Sequence, residues 1–149
     1  MARREVTIRD AEKADLDAIV ELEKACFSAP WSKNSFEFEL SSPDSAFITA
    51  KEGDTLAGFA VLHRFIDEGE LFNIAVSEDF RREGVADAML AELFRRAGVW
   101  GIKRVMLEVR KSNAPARALY MKNGFEVMGM RPGYYDFPKE DAILMERYL

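Results

Sequence analysis

The stretch NIAVSEDFRREGVADAMLAELFRRAG, residues 73–98, constrains the fold more than any other part of the chain. Asn73 to Val76 is apolar and β-prone, Ser77 to Glu83 is polar and charged, and from Gly84 apolar residues recur at helical spacing. A strand that turns through a glycine into a helix leaves the first helical N–H groups without internal partners. Those groups and the helix dipole together favour a phosphate or pyrophosphate. Arg81 and Arg82 add positive charge beside the turn. Read without a ligand, Gly84 simply relieves a tight turn and the arginines face water.

The flanking patterns set the architecture around this junction. Val6 and Ile8 alternate with polar neighbours as a short first strand, and Leu16, Ile19, Val20, Leu22 and Cys26 carry a helix over residues 14–27. Pro30 interrupts, and Ser32 is placed to cap a short second helix. AFITAKEGDTLAGFAVLHRF reads as a hairpin about Gly53-Asp54, GELFNIAVS as a further strand and RVMLEVR as another. NAPARALYMKNG is a short helix ended by Gly124, and FEVMGMRPGYYDF and DAILMERYL are closing strands. The order β-α-α-β-β-β-α-β-α-β-β predicts an α/β (α+β) fold, a mixed and mostly antiparallel sheet flanked by helices. With no repeat or long linker, residues 1–149 read as one domain.

Composition narrows the function classes. A net charge of −5 argues against a nucleic-acid backbone as partner and suits a basic protein or polyamine. No apolar run reaches the ~20 residues of a membrane helix, and MARREVTIRD offers no secretory apolar region, so a cytoplasmic protein is expected. One cysteine fits a reducing compartment, and one histidine with one cysteine argues against a zinc site. No motif in the chain specifies an oligomeric state.

The glycine turn lacks the lysine and second glycine of a P-loop and the further glycines of a dinucleotide fingerprint. RREGVA instead resembles the [RQ]-x-x-G-x-[GA] signature of the GNAT superfamily of acetyl-CoA-dependent N-acetyltransferases, at Arg81, Gly84 and Ala86. PWS, LFNIAV, LEVRKSNAPARALYMKNGF and GYYDFPKEDAILM resemble, in order and spacing, segments of its bacterial ribosomal-protein alanine N-acetyltransferases. Ala86 and Arg81 stand where relatives often carry Gly and Gln, and Gly133 where Asn is commoner.

The resemblance implies a sheet splayed at the acetyl-CoA site and no metal. It implies that backbone amides of Arg82, Glu83, Gly84, Val85, Ala86 and Asp87 hold the pyrophosphate of acetyl-CoA. The pantetheine arm would run along Ile74, Ala75 and Val76, with Arg81 and Asn113 as further contacts. A backbone N–H beside the thioester would polarise its carbonyl. Glu108 matches the family's general base and Tyr120 its general acid, seven residues after Asn113 on one helix face. An ordinary phenol stays protonated at neutral pH and can donate to a departing thiolate.

Trp31 and Phe36 are either core aromatics or walls of an acceptor groove, and Tyr134 and Tyr135 face the same groove from the closing hairpin. His63 and Cys26 read as structural, which favours direct transfer over an acyl-cysteine route. The implied substrate is the N-terminal alanine of a small-subunit ribosomal protein. The alternatives are a broader N-terminal, lysine or polyamine acetyltransferase, a coenzyme-binding module without catalysis, and a nucleotide-phosphate binder.

Overall fold

The computed structural model describes residues 5–149; the charged start of the chain, Met1–Arg4, lies outside the described residues. Seven strands form one sheet in the order β1-β2-β3-β4-β5-β7-β6. They are β1 (Thr7–Asp10), β2 (Ser45–Glu52), β3 (Thr55–Phe65), β4 (Glu68–Val76), β5 (Arg104–Arg110), β6 (Glu126–Tyr135) and β7 (Glu140–Tyr148). Four α-helices join them: α1 (Leu16–Cys26), α2 (Lys33–Ser41), α3 (Val85–Val99) and α4 (Ala114–Lys122). Every strand pair is antiparallel except β4 with β5, where α3 makes the crossover. The expected element order and mixed sheet are therefore observed.

β3 explains why the sheet is covered on both faces. Ala57 to Leu62 is buried without a break, the pattern of a central strand with helices above and below it. On one face α3 packs Met89, Leu90 and Leu93 against Leu62, Leu71, Val105 and Leu107. On the other, Leu16 and Ile19 of α1 and Phe36 of α2 meet Phe47, Phe59 and Val61. The β2–β3 hairpin turns at Gly53-Asp54 between Glu52 and Thr55, with Gly53 in the left-handed region at φ 58°. Ser32 caps α2 by accepting the Ser35 N–H at 3.3 Å, and Gly124 follows α4 at φ 90°.

Two departures from the sequence reading concern the first helix. Lys13–Asp15 is a 3-10 turn that leads into α1. More consequential is Glu23, which lies on the buried stripe with Leu16 and Ile19 and is 1% exposed. Its carboxylate accepts the Trp31 N–H at 2.9 Å and the Asn73 amide at 3.0 Å. Asn73 reaches it because β4 bulges. Val61 pairs with Asn73 and Leu62 with Leu71, so Phe72 is the extra residue, and Phe72 and Asn73 both turn toward α1 and α2.

Candidate active site

β4 and β5 pair through only three rungs, Glu68 with Arg104, Gly69 with Val105 and Glu70 with Met106. Beyond them the strands diverge, and the fork opens at their C-terminal ends. The expected splay thus lies between the strand that feeds α3 and the strand that carries Glu108.

On the α3 and α4 side of the fork is an open groove of about 380 Å³. Val76, Arg81, Arg82, Gly84, Val85, Ala86 and Asp87 line one wall; Pro115, Ala118, Leu119 and Lys122 of α4 line the other. Gly84 is the N-cap of α3 at φ 79° and ψ 14°, a conformation that costs a residue with a Cβ about 1–2 kcal/mol. Arg82 is also left-handed, at φ 64°. The first α3 amide bonded one turn back is that of Ala88, to the Gly84 carbonyl at 3.0 Å, so the turn before it supplies the helix's anion-binding end. Arg81 donates through Nε to the Val76 carbonyl at 3.3 Å, and its Nη2 lies 3.8 Å from Cys26 Sγ, which ties the loop to β4 and α1. Across the groove, Asp87 accepts from Lys122 Nζ and Asn123 Nδ2, both at 2.9 Å. Anion-binding end, cationic rim and apolar floor together fit a pyrophosphate with an apolar tail.

The other residues expected to contact the coenzyme are spread over β4, the α3 entry and the head of α4. Ile74 and Val76 face the α3 core and Ala75 the α1 core, so all three lie along the free edge of β4. Glu83 borders a second depression beside β1 and β2. Asn113 is the N-cap of α4, its Oδ1 accepting the Ala116 N–H at 3.2 Å.

On the opposite side of the fork, Glu108 is 22% exposed and faces Arg131 of β6, with Nη1 at 3.6 Å from Oε1. The Tyr134 phenol donates to Glu108, and that bond, ahead of burial, holds the phenol above its ordinary range. Tyr135 is pushed up to about 12, first by burial and then by the Glu108 charge. Glu70 stands one pleat before Glu108 on the neighbouring strand. Burial, then the Glu108 charge, raises its carboxyl, while Arg131 and His63 oppose the rise. Tyr120 points inward from α4, 8% exposed, with its ring edge-on to Phe125 at 5.7 Å. Burial, with Tyr135 adding to it, raises the Tyr120 phenol well above the ordinary value.

The aromatic walls divide. Trp31 is half-buried and, with Phe38 and Phe72, lines a surface groove of about 450 Å³. Phe36 has no exposed surface and packs against Phe47 and Phe59, so it backs Trp31, at 5.3 Å between ring centroids, instead of facing an acceptor. That corrects the groove-wall expectation for Phe36: its position on α2 points at the core. His63 is structural as expected, its Nδ1 2.8 Å from Glu39 Oε2 and its ring stacked on Phe72.

The structure adds residues that the sequence patterns did not single out: Glu70, Arg131, Lys122 and Arg110. Lys122 could have been found as the fourth member of the Pro115, Ala118, Leu119 face of α4. Glu70 shares the half-exposed face of its strand pair with Glu108, a placement that alternation alone assigns once the register is known.

With this geometry in hand, the chain can be compared with known proteins. Residues 16–125 match the model of the acetyltransferase (GNAT) family. The chain belongs to the GNAT family. It is 37% identical over 141 residues to the [ribosomal protein bS18]-alanine N-acetyltransferase of Escherichia coli K12, covering 93% of this chain and 95% of that one. The namesake of Haemophilus ducreyi is 34% identical over 140 residues, covering 91% and 94%. The crystal structure of the ribosomal-protein-S18-alanine N-acetyltransferase of Escherichia coli superposes with a TM-score of 0.89 over 97% of this chain and 94% of that chain, at 34% identity. GNAT proteins are acyltransferases that use acetyl-CoA, and membership makes this chain one of them.

Proposed function

We propose that this chain, acting as a single domain over residues 1–149, transfers acetyl from acetyl-CoA to the N-terminal alanine α-amine of ribosomal protein bS18. The observation that carries the reading is the fork itself. A groove ending in a helix N-terminus lies on one side, and a carboxylate, Glu108, lies on the other, with the parted strands β4 and β5 between them. The names and near-complete coverage of the relatives support the bS18 substrate. The cytoplasm, where ribosomes work, is the compartment this reading requires; among the described residues no helix is long and apolar enough to cross a membrane.

Acetyl-CoA supplies the activated acetyl thioester. Amides of Arg82–Asp87 hold its pyrophosphate, the free edge at Ile74–Val76 orients its arm, and Arg81 and Asn113, at the loop and at the head of α4, are further contacts. Glu108 accepts a proton from the incoming ammonium, leaving the lone pair that attacks. An α-amine of pKa about 7.7–8.0 asks only a modest base. Tyr120, kept protonated by burial, gives its proton to the thiolate as the C–S bond breaks, and the second proton shed by the acylated nitrogen restores the phenol. Trp31, Tyr134 and Tyr135 line the acceptor side, and Phe36 supports Trp31 from behind.

The test is acetyl-CoA turnover on an N-terminal bS18 peptide beside spermidine. Peptide turnover that exceeds spermidine turnover is expected. Preference for spermidine would sink the bS18 reading and favour the polyamine alternative. Coenzyme binding without turnover on either would favour the non-catalytic module.

A further inference from the structure

Arg110, the last residue of β5, makes more side-chain contacts to separate chain segments than the established acetyl chemistry requires. Its Nη2 donates to Ser28 Oγ at 3.2 Å and to the Asp136 carbonyl at 3.0 Å. Its Nη1 donates to the Pro138 carbonyl at 2.9 Å and to Glu140 Oε1 at 3.3 Å. The guanidinium lies over the Tyr135 ring, 4.5 Å from its centroid. Glu140 is fixed in turn by the Ser112 N–H at 2.6 Å.

Three of these partners belong to two loops, which the guanidinium ties to the end of β5. Ser28 lies between α1 and α2, three residues before Trp31; Asp136 and Pro138 lie between β6 and β7, directly after Tyr134 and Tyr135. Arg110 also follows Glu108 by two residues, so the link between the loops and the candidate base share one face of one strand, roughly 7 Å apart along it. A planar guanidinium can satisfy four acceptors and a ring at once; a lysine ammonium, a point charge on a flexible stem, cannot.

We propose that Arg110 is a positioning residue for a peptide acceptor: it fixes the separation of the 27–32 and 136–139 loops and so holds an extended chain with its N-terminus at Glu108. The inference rests on the reading of this site as a peptide N-acetyltransferase. A small amine occupies only the fork and does not reach the loops, so Arg110 discriminates between substrate sizes. A merely structural arginine would not.

The experiment compares wild type, Arg110→Lys and Ser28→Ala on two acceptors, an N-terminal bS18 hexapeptide and alanine amide. Arg110→Lys is expected to raise the peptide KM and lower the peptide-to-amide ratio of kcat/KM on the order of tenfold, the scale of one or two lost charge-assisted bonds. Ser28→Ala removes a single arm from an exposed loop, which keeps the test open if the lysine variant folds poorly. It should move the same ratio by about two- to threefold, with an unchanged melting temperature. The acetyl-CoA KM should hold in both variants. Equal losses on peptide and amide, or an acetyl-CoA KM that rises with the peptide KM, would overturn the proposal. A wild type that prefers another N-terminal sequence would overturn the bS18 reading alone, and the ratio would then be read on that peptide. A wild type that acetylates alanine amide and no peptide would overturn both.

Discussion

Glu70 and Glu108 face the same side of two strands that have just parted: Glu70 stands on the last rung, opposite Met106, and Glu108 lies one pleat further along β5. Arg131 is the cation between them, close enough to pair with Glu108 and to lower Glu70. With the Arg110–Glu140 pair counted beside Glu70, Glu108 and Arg131, an ammonium arriving at the fork meets three carboxylates and two guanidiniums, a balance that favours a cation. Glu70→Gln is therefore expected to raise the KM for a peptide amine about two- to fivefold, within the range of half-exposed ion pairs. Its KM should also depend less on salt than that of wild type. Steady-state kinetics at low and high ionic strength check both; a KM unchanged at either would remove Glu70 from acceptor recognition.

Glu108→Gln keeps the shape of the side chain and loses its capacity to take a proton. A fall in kcat of about 10²–10⁴-fold is expected, with coenzyme affinity intact, because the residue stands across the fork from the groove. Calorimetric titration with coenzyme A beside turnover assays separates these quantities.

Tyr120→Phe removes one hydroxyl and keeps the ring against Phe125. Burial raises the phenol, so its acidic form persists across the neutral range and beyond. Its ionisation should therefore cause no basic fall in kcat up to at least about pH 9.5, while the phenylalanine variant loses about 10²-fold in kcat throughout. A wild-type kcat that drops with an apparent pKa near 8 would contradict an acid of this environment.

Glu23 governs a dependence of stability on pH. Burial, opposed by its bonds to Trp31 and Asn73, raises the folded-state carboxyl above its ordinary value of 4.5. The folded state then holds the proton more tightly than the unfolded one. Stability is full below the ordinary value and is eroded as pH rises through the folded-state value. Glu23→Gln carries no such penalty, and once the Asn73 amide turns over, its Oδ1, a buried oxygen with no partner in the wild type, can accept from the glutamine amide. The difference in melting temperature, variant minus wild type, should become more positive between about pH 4.5 and pH 8. A constant difference would show that Glu23 does not titrate on its own.

The legible and illegible parts of this chain divide by the range of the interactions involved. The β2–β3 hairpin, the Ser32 cap, the Gly84 entry to α3 and the Gly124 exit from α4 depend on neighbours within a few residues, and periodicity with turn chemistry located all of them. The splay, and the roles expected of Glu108 and Tyr120, come from the resemblance and not from local pattern. Glu23 is not legible locally, because a carboxylate on an apolar stripe makes sense only with Asn73, 50 residues away, turned toward it by a bulge. Arg110 sits inside the LEVR motif, yet its partners Ser28 and Asp136 lie 82 and 26 residues off. Phe36 was ambiguous because helical spacing alone does not say whether an aromatic on a short α2 faces protein or ligand; Phe47 and Phe59 decide it.

The three-rung seam between β4 and β5 has a consequence for the life of the molecule as well as for its chemistry. The sheet is almost two sheets, one ending at β4 and one beginning at β5, joined by a short ladder and by α3 lying across it. A coenzyme lodged in the fork, as proposed, would serve as mortar between these halves, binding the folded chain and not the unfolded one. By mass action it then adds about 2.7 kcal/mol to stability at a hundredfold excess over its dissociation constant. A well-supplied cell would thus keep this protein stiff and long-lived, and a starved one would leave it easier to unfold and clear.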